Sequence, residues 1–137
     1  MRSSEVAGRF VDRVNAHDVE GLGALMTEGH VFVDSGGGTV VGRKTMQEAW
    51  RQYFGMVPDY AIHVESMVVE GSRVALFGRA EGAFESGGAA DTVNHWEVPA
   101  AWQVVVKGDQ VCHWQVYADM GSVWRVLERL PRGSEPR

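Results

Sequence analysis

The chain has one cysteine and no long apolar run, and each shortage excludes a class of protein. Cys112 is the single cysteine in 137 residues, so no disulfide can form within the chain. No run of 18 or more apolar residues is present to span a membrane, and the first residues do not resemble a signal peptide. The 13 basic residues are scattered and the net charge is −5, which argues against nucleic acid or an anionic membrane as partner. We therefore expect a cytoplasmic protein.

Motifs for cofactors are also lacking. No set of His, Cys, Asp and Glu has the spacing of metal ligands, and the glycine stretch 36–38 does not open a helix directly, as a phosphate-binding loop would. We expect no metal and no nucleotide cofactor. What the chain does have is tryptophan: 5 of them, and large aromatic residues line cores and apolar ligand pockets alike.

Apolar residues at helical spacing predict three N-terminal helices. The first is capped by Ser3 or Ser4, the second begins after Asp18, and the third covers 43–54 and ends at Gly55. A short strand over 30–34 separates the second helix from the glycine-containing loop 35–38.

Beyond Pro58 the sequence alternates as strands. Four are predicted, over 60–70, 73–84, 92–107 and 110–119, joined by two short turns and by a glycine-rich loop over 85–91 that could cover a site. A last helical segment over 120–130, capped by Ser122, completes one domain over 1–130, and the tail over 131–137 is expected to be disordered. The fold class is α+β, with the helices in the concave face of a strongly curved, mixed, mostly antiparallel sheet and a pocket between the layers.

The strand over 73–84 carries two ionisable residues one alternation apart. Because strand side chains alternate, Phe77, Arg79 and Glu81 share a face of the sheet. On a solvated face Arg79 and Glu81 would form only a weak ion pair. In a pocket that also holds Asp34, from the end of the first strand, they would form an acid–base cluster.

Several short motifs, taken in order, resemble a known superfamily. They are Asn15-Ala16-His17-Asp18 between two helices, Asp34 followed by Gly42-Arg43, Glu70-Gly71 before a valine-rich strand, and Lys107 to Val111 followed by Trp114 and Asp119. Over residues 5–130 the chain is similar to the ketosteroid isomerase-like and SnoaL-like proteins, which share the α+β cone of nuclear transport factor two. The resemblance implies that cone, and a superfamily of isomerases, cyclases, dehydratases, epoxide hydrolases and non-catalytic proteins.

The resemblance also implies roles for particular residues. Asp34 stands where ketosteroid isomerases carry the general base, but Phe10 and Ala100 stand near the places of their oxyanion donors. Arg79-Ala80-Glu81 resembles the Arg-x-Asp of limonene epoxide hydrolase-like enzymes. Asp119 is the nearest match to the acid of SnoaL-like cyclases, although it could equally cap the last helix.

Candidate substrate-binding residues are the large apolar side chains around this cluster, together with one histidine that could face either way. They are Phe10, Phe32, Trp50, Phe54, Phe77, His95, Trp102, Trp114 and Val116. His17 and His30 are interpreted as surface or capping residues, and His63 and Glu65 are placed by hairpin pairing on the face away from Arg79. The consecutive Val104, Val105 and Val106 indicate an apolar outer sheet face and hence a homodimer.

Two classes of function remain open at this stage. The first is a cofactor-independent isomerase or cyclase acting on a hydrophobic polyketide-, terpenoid- or steroid-like molecule, with Asp34 as base and Arg79, Glu81 and Asp119 around the oxygen function. An epoxide hydrolase, or an epoxide-opening cyclase, using Arg79, Glu81 and Asp34 is the enzymatic alternative. The second class is a non-catalytic ligand-binding or dimerisation module, in which the tryptophans are core and Asp34 lies in solvent.

Overall fold

A computed structural model describes residues 2–86 and 89–128 of the chain. Four helices and six strands follow one another in these residues. The helices are α1 Ser3–Asn15, α2 Val19–Ala24, α3 Arg43–Met56 and α4 Gly121–Glu128, and the strands are β1 Met26–Val33, β2 Thr39–Val41, β3 Ala61–Glu70, β4 Arg73–Ser86, β5 Ala89–Lys107 and β6 Gln110–Ala118. The predicted tail over 131–137 lies outside the described residues, as do positions 129 and 130 of the last predicted helix.

The strands form one mixed sheet in the order β2-β1-β6-β5-β4-β3. The three hairpin-linked pairs β3–β4, β4–β5 and β5–β6 are antiparallel, as is β1–β2, whereas β1 runs parallel to β6. The parallel pair follows from the chain path, because the connection between its two strands contains most of the domain. The predicted α+β class and mostly antiparallel sheet are confirmed.

Helix α1 supplies the centre of the core between the layers. Val6, Phe10 and Val14 recur at helical spacing and are fully buried. The ring centroid of Phe10 lies 4.7 Å from that of Trp114 on β6. Burying a side chain of this size stabilises the fold by about 1.5–3 kcal/mol.

The motif Asn15-Ala16-His17-Asp18 is a structural junction. The Asn15 side chain binds both backbone groups of Ile62 on β3, donating to its carbonyl at 2.9 Å and accepting from its amide at 2.8 Å. His17 has a positive φ of 54°, stacks on Phe54 at 4.2 Å and donates from Nε2 to the Tyr60 carbonyl at 2.7 Å. Asp18 then caps α2 by accepting from the Gly21 amide, as predicted. The junction thereby fixes the start of β3.

Several predicted boundaries are wrong. Ser3 lies inside α1 and its hydroxyl donates to the Gly71 carbonyl instead of capping the helix. Helix α3 continues through Gly55 to Met56, because an isolated glycine costs only about 1 kcal/mol within a helix. The expected loop over 85–91 is replaced by a longer hairpin, in which Ser86 pairs with Ala89 and Glu85 with Ala90.

A β-bulge at Glu65 changes the predicted register of β3. Ser66 pairs with Phe77 as the Gly71-Ser72 turn requires, but the next pairs are Val64 with Gly78 and His63 with Arg79. The extra residue places His63 on the same face as Arg79, so the prediction for His63 is wrong.

Among the described residues no helix is long and apolar enough to cross a membrane.

Candidate functional site

A cavity of about 500 Å³ lies between α3, α4 and the covered face of the sheet. Its lining is mostly apolar and aromatic. The residues are Phe32, Asp34, Ser35, Gly36, Met46, Ala49, Trp50, Tyr53, Tyr60, Ala80, Trp96, Val98, Ala100, Trp114, Val116, Ala118, Met120 and Trp124. A concave, largely apolar space of this size is the usual form of a small-molecule site.

Four of the lining residues, which we call the aromatic wall, contact one another in series: Trp50, Tyr53, Tyr60 and Trp96. The ring of Tyr53 lies edge-on to Trp50 at 6.3 Å and edge-on to Tyr60 at 4.9 Å, and Tyr60 lies 6.2 Å from Trp96. Burial raises the pKa of Tyr60 well above 10, and its neighbour Tyr53 adds to this effect. Burial likewise raises the pKa of Tyr53. Both phenols therefore carry their proton throughout the physiological range.

Asp34 is the one charged side chain among the described residues that line the cavity. It follows the last residue of β1, and its side chain is exposed, as the non-catalytic alternative expects. Its Oδ1 accepts hydrogen bonds from the amides of Gly36 and Gly38, at 2.8 and 2.9 Å. Its own amide donates to the Gly38 carbonyl at 2.8 Å, which closes the loop. Because both side-chain bonds go to Oδ1, the loop fixes the carboxylate and leaves Oδ2 for another partner.

The predicted substrate-binding residues divide between the cavity, the core and the outer sheet face. Phe32, Trp50, Trp114 and Val116 line the cavity. Phe10, Phe54 and Trp102 are buried in the core and do not line the cavity, because α1, His17 and the sheet cover them. Phe77 and His95 lie on the outer face, so their placement in the pocket was wrong.

The predicted meeting of Asp34 with Arg79 and Glu81 is wrong. Arg79 and Glu81 do share one face of β4, but the opposite alternation, Val74, Leu76 and Ala80, is the buried one. Ala80 alone of these β4 positions lines the cavity. The strand turns its apolar alternation to the helices because burying unpaired charges there would cost several kcal/mol.

On the outer face Arg79 and Glu81 belong to a cluster of charged and imidazole side chains, the outer cluster: His63, Glu65, Arg79, Glu81, His95 and Glu97. Arg79 Nη1 lies 3.8 Å from Glu81 and 3.6 Å from Glu97. The two oxygens of Glu81 contact the Nε2 atoms of His63 and His95 at 2.7 and 3.3 Å. Partial desolvation alone would raise the pKa of Glu81, but the hydrogen bonds from His95 and His63 and their charge together lower it.

Asp119 and His30 also differ from their predicted roles. Asp119 is exposed, and its Oδ1 accepts from the Gly121 amide at 2.9 Å, so it caps the start of α4 and does not enter the cavity. His30, predicted at the surface, is fully buried beside Phe10. Its Nδ1 donates to the Val111 carbonyl at 2.7 Å. Burial lowers the pKa of His30, and the neutral ring is therefore the folded form near pH 7.

Tyr53, Tyr60, Trp96 and Trp124 line the cavity but were not predicted to do so. For Trp96 the signal was available, since it alternates with the apolar Val98, Ala100 and Trp102 on β5. Tyr60 lies one residue before β3, but it begins the predicted strand over 60–70 and alternates there with Ile62, which is also buried, so the same signal was available. Within residues 2–86 and 89–128, no three His, Cys, Asp or Glu side chains are placed to hold a metal ion.

Comparisons with known proteins find the same fold. Among solved structures, a candidate SnoaL-like polyketide cyclase from Jannaschia sp. CCS1 is 21% identical, with a TM-score of 0.80 over 94% of this chain and 93% of that one. A hypothetical protein with a ketosteroid isomerase-like fold from Catenulispora acidiphila, in complex with trimethylamine, is 19% identical. Its TM-score is 0.78, and the match covers 96% of this chain and 98% of that one. An LEH-like epoxide hydrolase from M. tuberculosis is 15% identical. Its TM-score is 0.74, and the match covers 93% of this chain and 90% of that one.

At these identities the structural likeness shows the fold. A search of curated proteins finds no significant match. The family model for the SnoaL-like domain matches residues 7–114, which include most of α1, all of β1 and α3, and most of the sheet. The chain therefore belongs to the SnoaL-like domain family.

Proposed function

We propose that this protein is a cofactor-independent acid–base enzyme acting on a hydrophobic small molecule of polyketide, terpenoid or steroid type, with Asp34 as its general base. One observation carries the proposal. Asp34 is the single charged lining residue in the described part of a 500 Å³ aromatic cavity, and two backbone amides hold its Oδ1 in place. A positioned carboxylate at an apolar cavity is what proton abstraction from a weak carbon acid needs.

The chemistry that this arrangement supports is proton transfer next to a carbonyl group. The Asp34 carboxylate takes a proton from the carbon beside the carbonyl, and the electron pair of the broken C–H bond forms a C=C bond. The carbonyl π pair moves to oxygen and gives an enolate. Where a C=C bond adjoins the α-carbon, the enolate is conjugated with it, and return of the proton from Asp34 to the γ-carbon moves the double bond and gives an isomerised product. Attack of the enolate α-carbon on a second carbonyl of the same molecule instead closes a ring: the π pair of that carbonyl moves to its oxygen, which takes the proton back from Asp34.

The walls of the cavity favour a substrate with an extended apolar skeleton. Val116, Val98 and Met46 on three different elements offer only apolar contact, and a rigid ring system would bury most of its surface there. The candidate polyketide cyclase from Jannaschia shares the fold, which agrees with such a substrate. The epoxide-hydrolase alternative used Arg79 and Glu81 inside the cavity, and both lie on the other face of the sheet.

Deuterium exchange into a model ketone tests the proposal without knowledge of the natural substrate. 1-Tetralone, a fused bicyclic ketone, is incubated with the protein in D2O, and loss of its α-proton signal is followed by NMR. We expect the wild-type protein to accelerate exchange above buffer. Asp34→Asn should reduce the accelerated rate by roughly 10²–10⁴-fold, the range for a positioned general base.

The substitution is suited to this question because asparagine retains an oxygen that can accept from Gly36 and Gly38 while its basicity is lost. Asp12→Asn, the same change at an exposed position of α1, is the control and should exchange at the wild-type rate. Full exchange by Asp34→Asn would refute the role of Asp34. If the wild-type protein binds the ketone and exchange stays at the buffer rate, the protein is a binding module.

A further inference from the structure

The lining of the cavity has a buried part and an exposed part. Trp50, Trp96 and Trp114 belong to the buried part and are at most 5% exposed. The exposed lining residues, among those that the structure describes, are the loop residues 34–36 and Trp124 on α4, which is 56% exposed. These four residues form the mouth of the cavity.

Helix α4 is attached to the core, so the exposure of Trp124 does not come from a loosely held helix. Val123 is 3% exposed, and Val126 and Leu127, at helical spacing from it, pack against the same core. Met120 lies four residues before Trp124, accepts a hydrogen bond from its amide and lines the cavity as well. The side of α4 that carries Trp124 is therefore turned toward the mouth.

Trp124 differs from the other exposed apolar side chains of the protein. Single exposed side chains of this kind are common on protein surfaces and need no explanation. Val68, Phe77 and Tyr117 are exposed to a similar extent, and none of them lines the cavity. The exposed surface of Trp124, by contrast, continues the apolar lining of a space large enough for a small molecule.

The volume of the cavity determines which ligands reach this surface. A space of about 500 Å³ holds roughly 15–20 non-hydrogen atoms at about 30 Å³ each, the share of one molecule in liquid water. A tricyclic skeleton is of this size and would fill the cavity to its mouth. The indole of Trp124 would then lose its contact with water, and burial of that apolar surface would favour binding.

We infer that Trp124 is a ligand-binding residue that covers the outer end of the bound molecule, while the apolar skeleton lies inward against the aromatic wall. The inference deepens the proposed function, on which it rests for the role of Asp34, because it states which end of the substrate reacts. Since the Asp34 carboxylate belongs to the mouth, the carbon that loses its proton lies there too. An indole packed over that end excludes water from the reacting atoms.

Tryptophan fluorescence tests the inference by binding alone. All 5 tryptophans lie in described residues, and apart from Trp124 each is at most 5% exposed, so acrylamide should quench mainly Trp124 in the free protein. The probe is cedrol, a saturated tricyclic terpenoid alcohol that does not absorb at the tryptophan wavelengths. Saturating cedrol should lower the acrylamide quenching of the wild-type protein to nearly that of Trp124→Phe, which lacks the exposed indole.

Substitutions measure what the contact contributes to affinity. In isothermal titration calorimetry Trp124→Ala should bind cedrol about tenfold more weakly than the wild type, the usual size for truncating an aromatic contact at a binding site. Trp124→Phe keeps an aromatic ring and should lose less. Tyr117→Ala is the matched control: it truncates an exposed aromatic side chain on the outer face, and its affinity should equal that of the wild type. All three variants should melt near the wild-type temperature, because they change largely exposed side chains.

Three results would overturn the inference. They are undiminished quenching of the wild-type protein with cedrol bound, wild-type affinity in Trp124→Ala, and no binding of cedrol to the wild-type protein.

The outcome is separable from that of the proposed function. Protection of Trp124 by cedrol without any deuterium exchange into 1-tetralone would leave the cover standing and remove Asp34 as a base. Exchange that depends on Asp34, with Trp124 still open to acrylamide when cedrol is bound, would do the reverse.

Discussion

Gly78 on β4 lies directly against the backbone of β3, and adding one methyl group there should disrupt the pairing of the two strands. A Cβ at this position would overlap the carbonyl oxygen of His63 and lie 3.2 Å from the amide nitrogen of Glu65. Both are backbone atoms of β3, one in the bulged residue Glu65 and one two residues before it. Neither can rotate away, so Gly78→Ala requires the two strands to separate or the bulge to be lost.

The size of the effect follows from that contact. Forcing an extra methyl group into close-packed structure costs about 1–3 kcal/mol. Separation of the strands also weakens the pairs on either side, Val64 with Gly78 and His63 with Arg79, at about 1 kcal/mol for each hydrogen bond lost. We expect a total loss of about 3 kcal/mol, or a fall in Tm of about 10 °C for a domain of this length.

Chemical denaturation of the variant and of a matched control measures this loss. Gly8→Ala makes the same change in α1, where nothing lies within 4 Å of the added methyl group. The control should gain about 0.5–1 kcal/mol, because alanine restricts the unfolded chain and favours the helix. If Gly78→Ala is as stable as the wild type, the close approach and the bulge register described here are incorrect.

Two further predictions concern the buried histidine and the outer sheet face. Because burial holds the pKa of His30 below 6.5 in the folded state, the unfolded chain takes up a proton first as pH falls. The free energy of unfolding should therefore decrease from pH 7 to pH 5, by up to about 1.4 kcal/mol per pH unit. Denaturation of His30→Gln should show a shallower decrease, and equal slopes would contradict the assignment. On the outer face Phe77 and Tyr117 are 45% and 48% exposed, and we propose that they bury each other's surface in a homodimer. Light scattering should give a dimer for the wild type and a monomer for Phe77→Glu, and a wild-type monomer at tens of micromolar would count against the interface.

Periodicity predicted the elements well and their orientation less well. The strand starts at 73 and 110, the helix start at 43 and the cap at Asp18 all follow from local signals that act within a few residues. Two wrong boundaries fall at small residues, at Gly55 and where β4 continues to Ser86. The first strand, predicted over 30–34, begins at Met26 instead, and the short strand Thr39–Val41 was not predicted. Local sequence cannot decide these cases, because pairing with a distant strand contributes the difference.

The residues of the candidate site, too, were predictable where the signal was local and not where it depended on distant parts of the chain. That Arg79 and Glu81 share a face was predictable, since alternation along a strand is local. Which face meets the helices depends on comparing the two alternations, and Val74, Leu76 and Ala80 form the more apolar set. The bulge at Glu65 adds a second source of error, because one extra residue reverses every side chain beyond it. The position of Asp34 at the end of a strand and before glycines was predictable because both features are local, whereas its role as a base was implied by the family resemblance and stays a prediction.

Backbone amides hold the Asp34 carboxylate, so its position does not depend on the side chains of the neighbouring loop residues. Its partners are backbone amides of Gly36 and Gly38, and a side chain at Gly38 would collide with Asp34, while Gly37 has a positive φ of 89°. Ser35 is the position in this loop with neither constraint, and it lines the mouth of the cavity. An evolving or engineered protein can therefore vary residue 35 to change what enters while the carboxylate stays where it is.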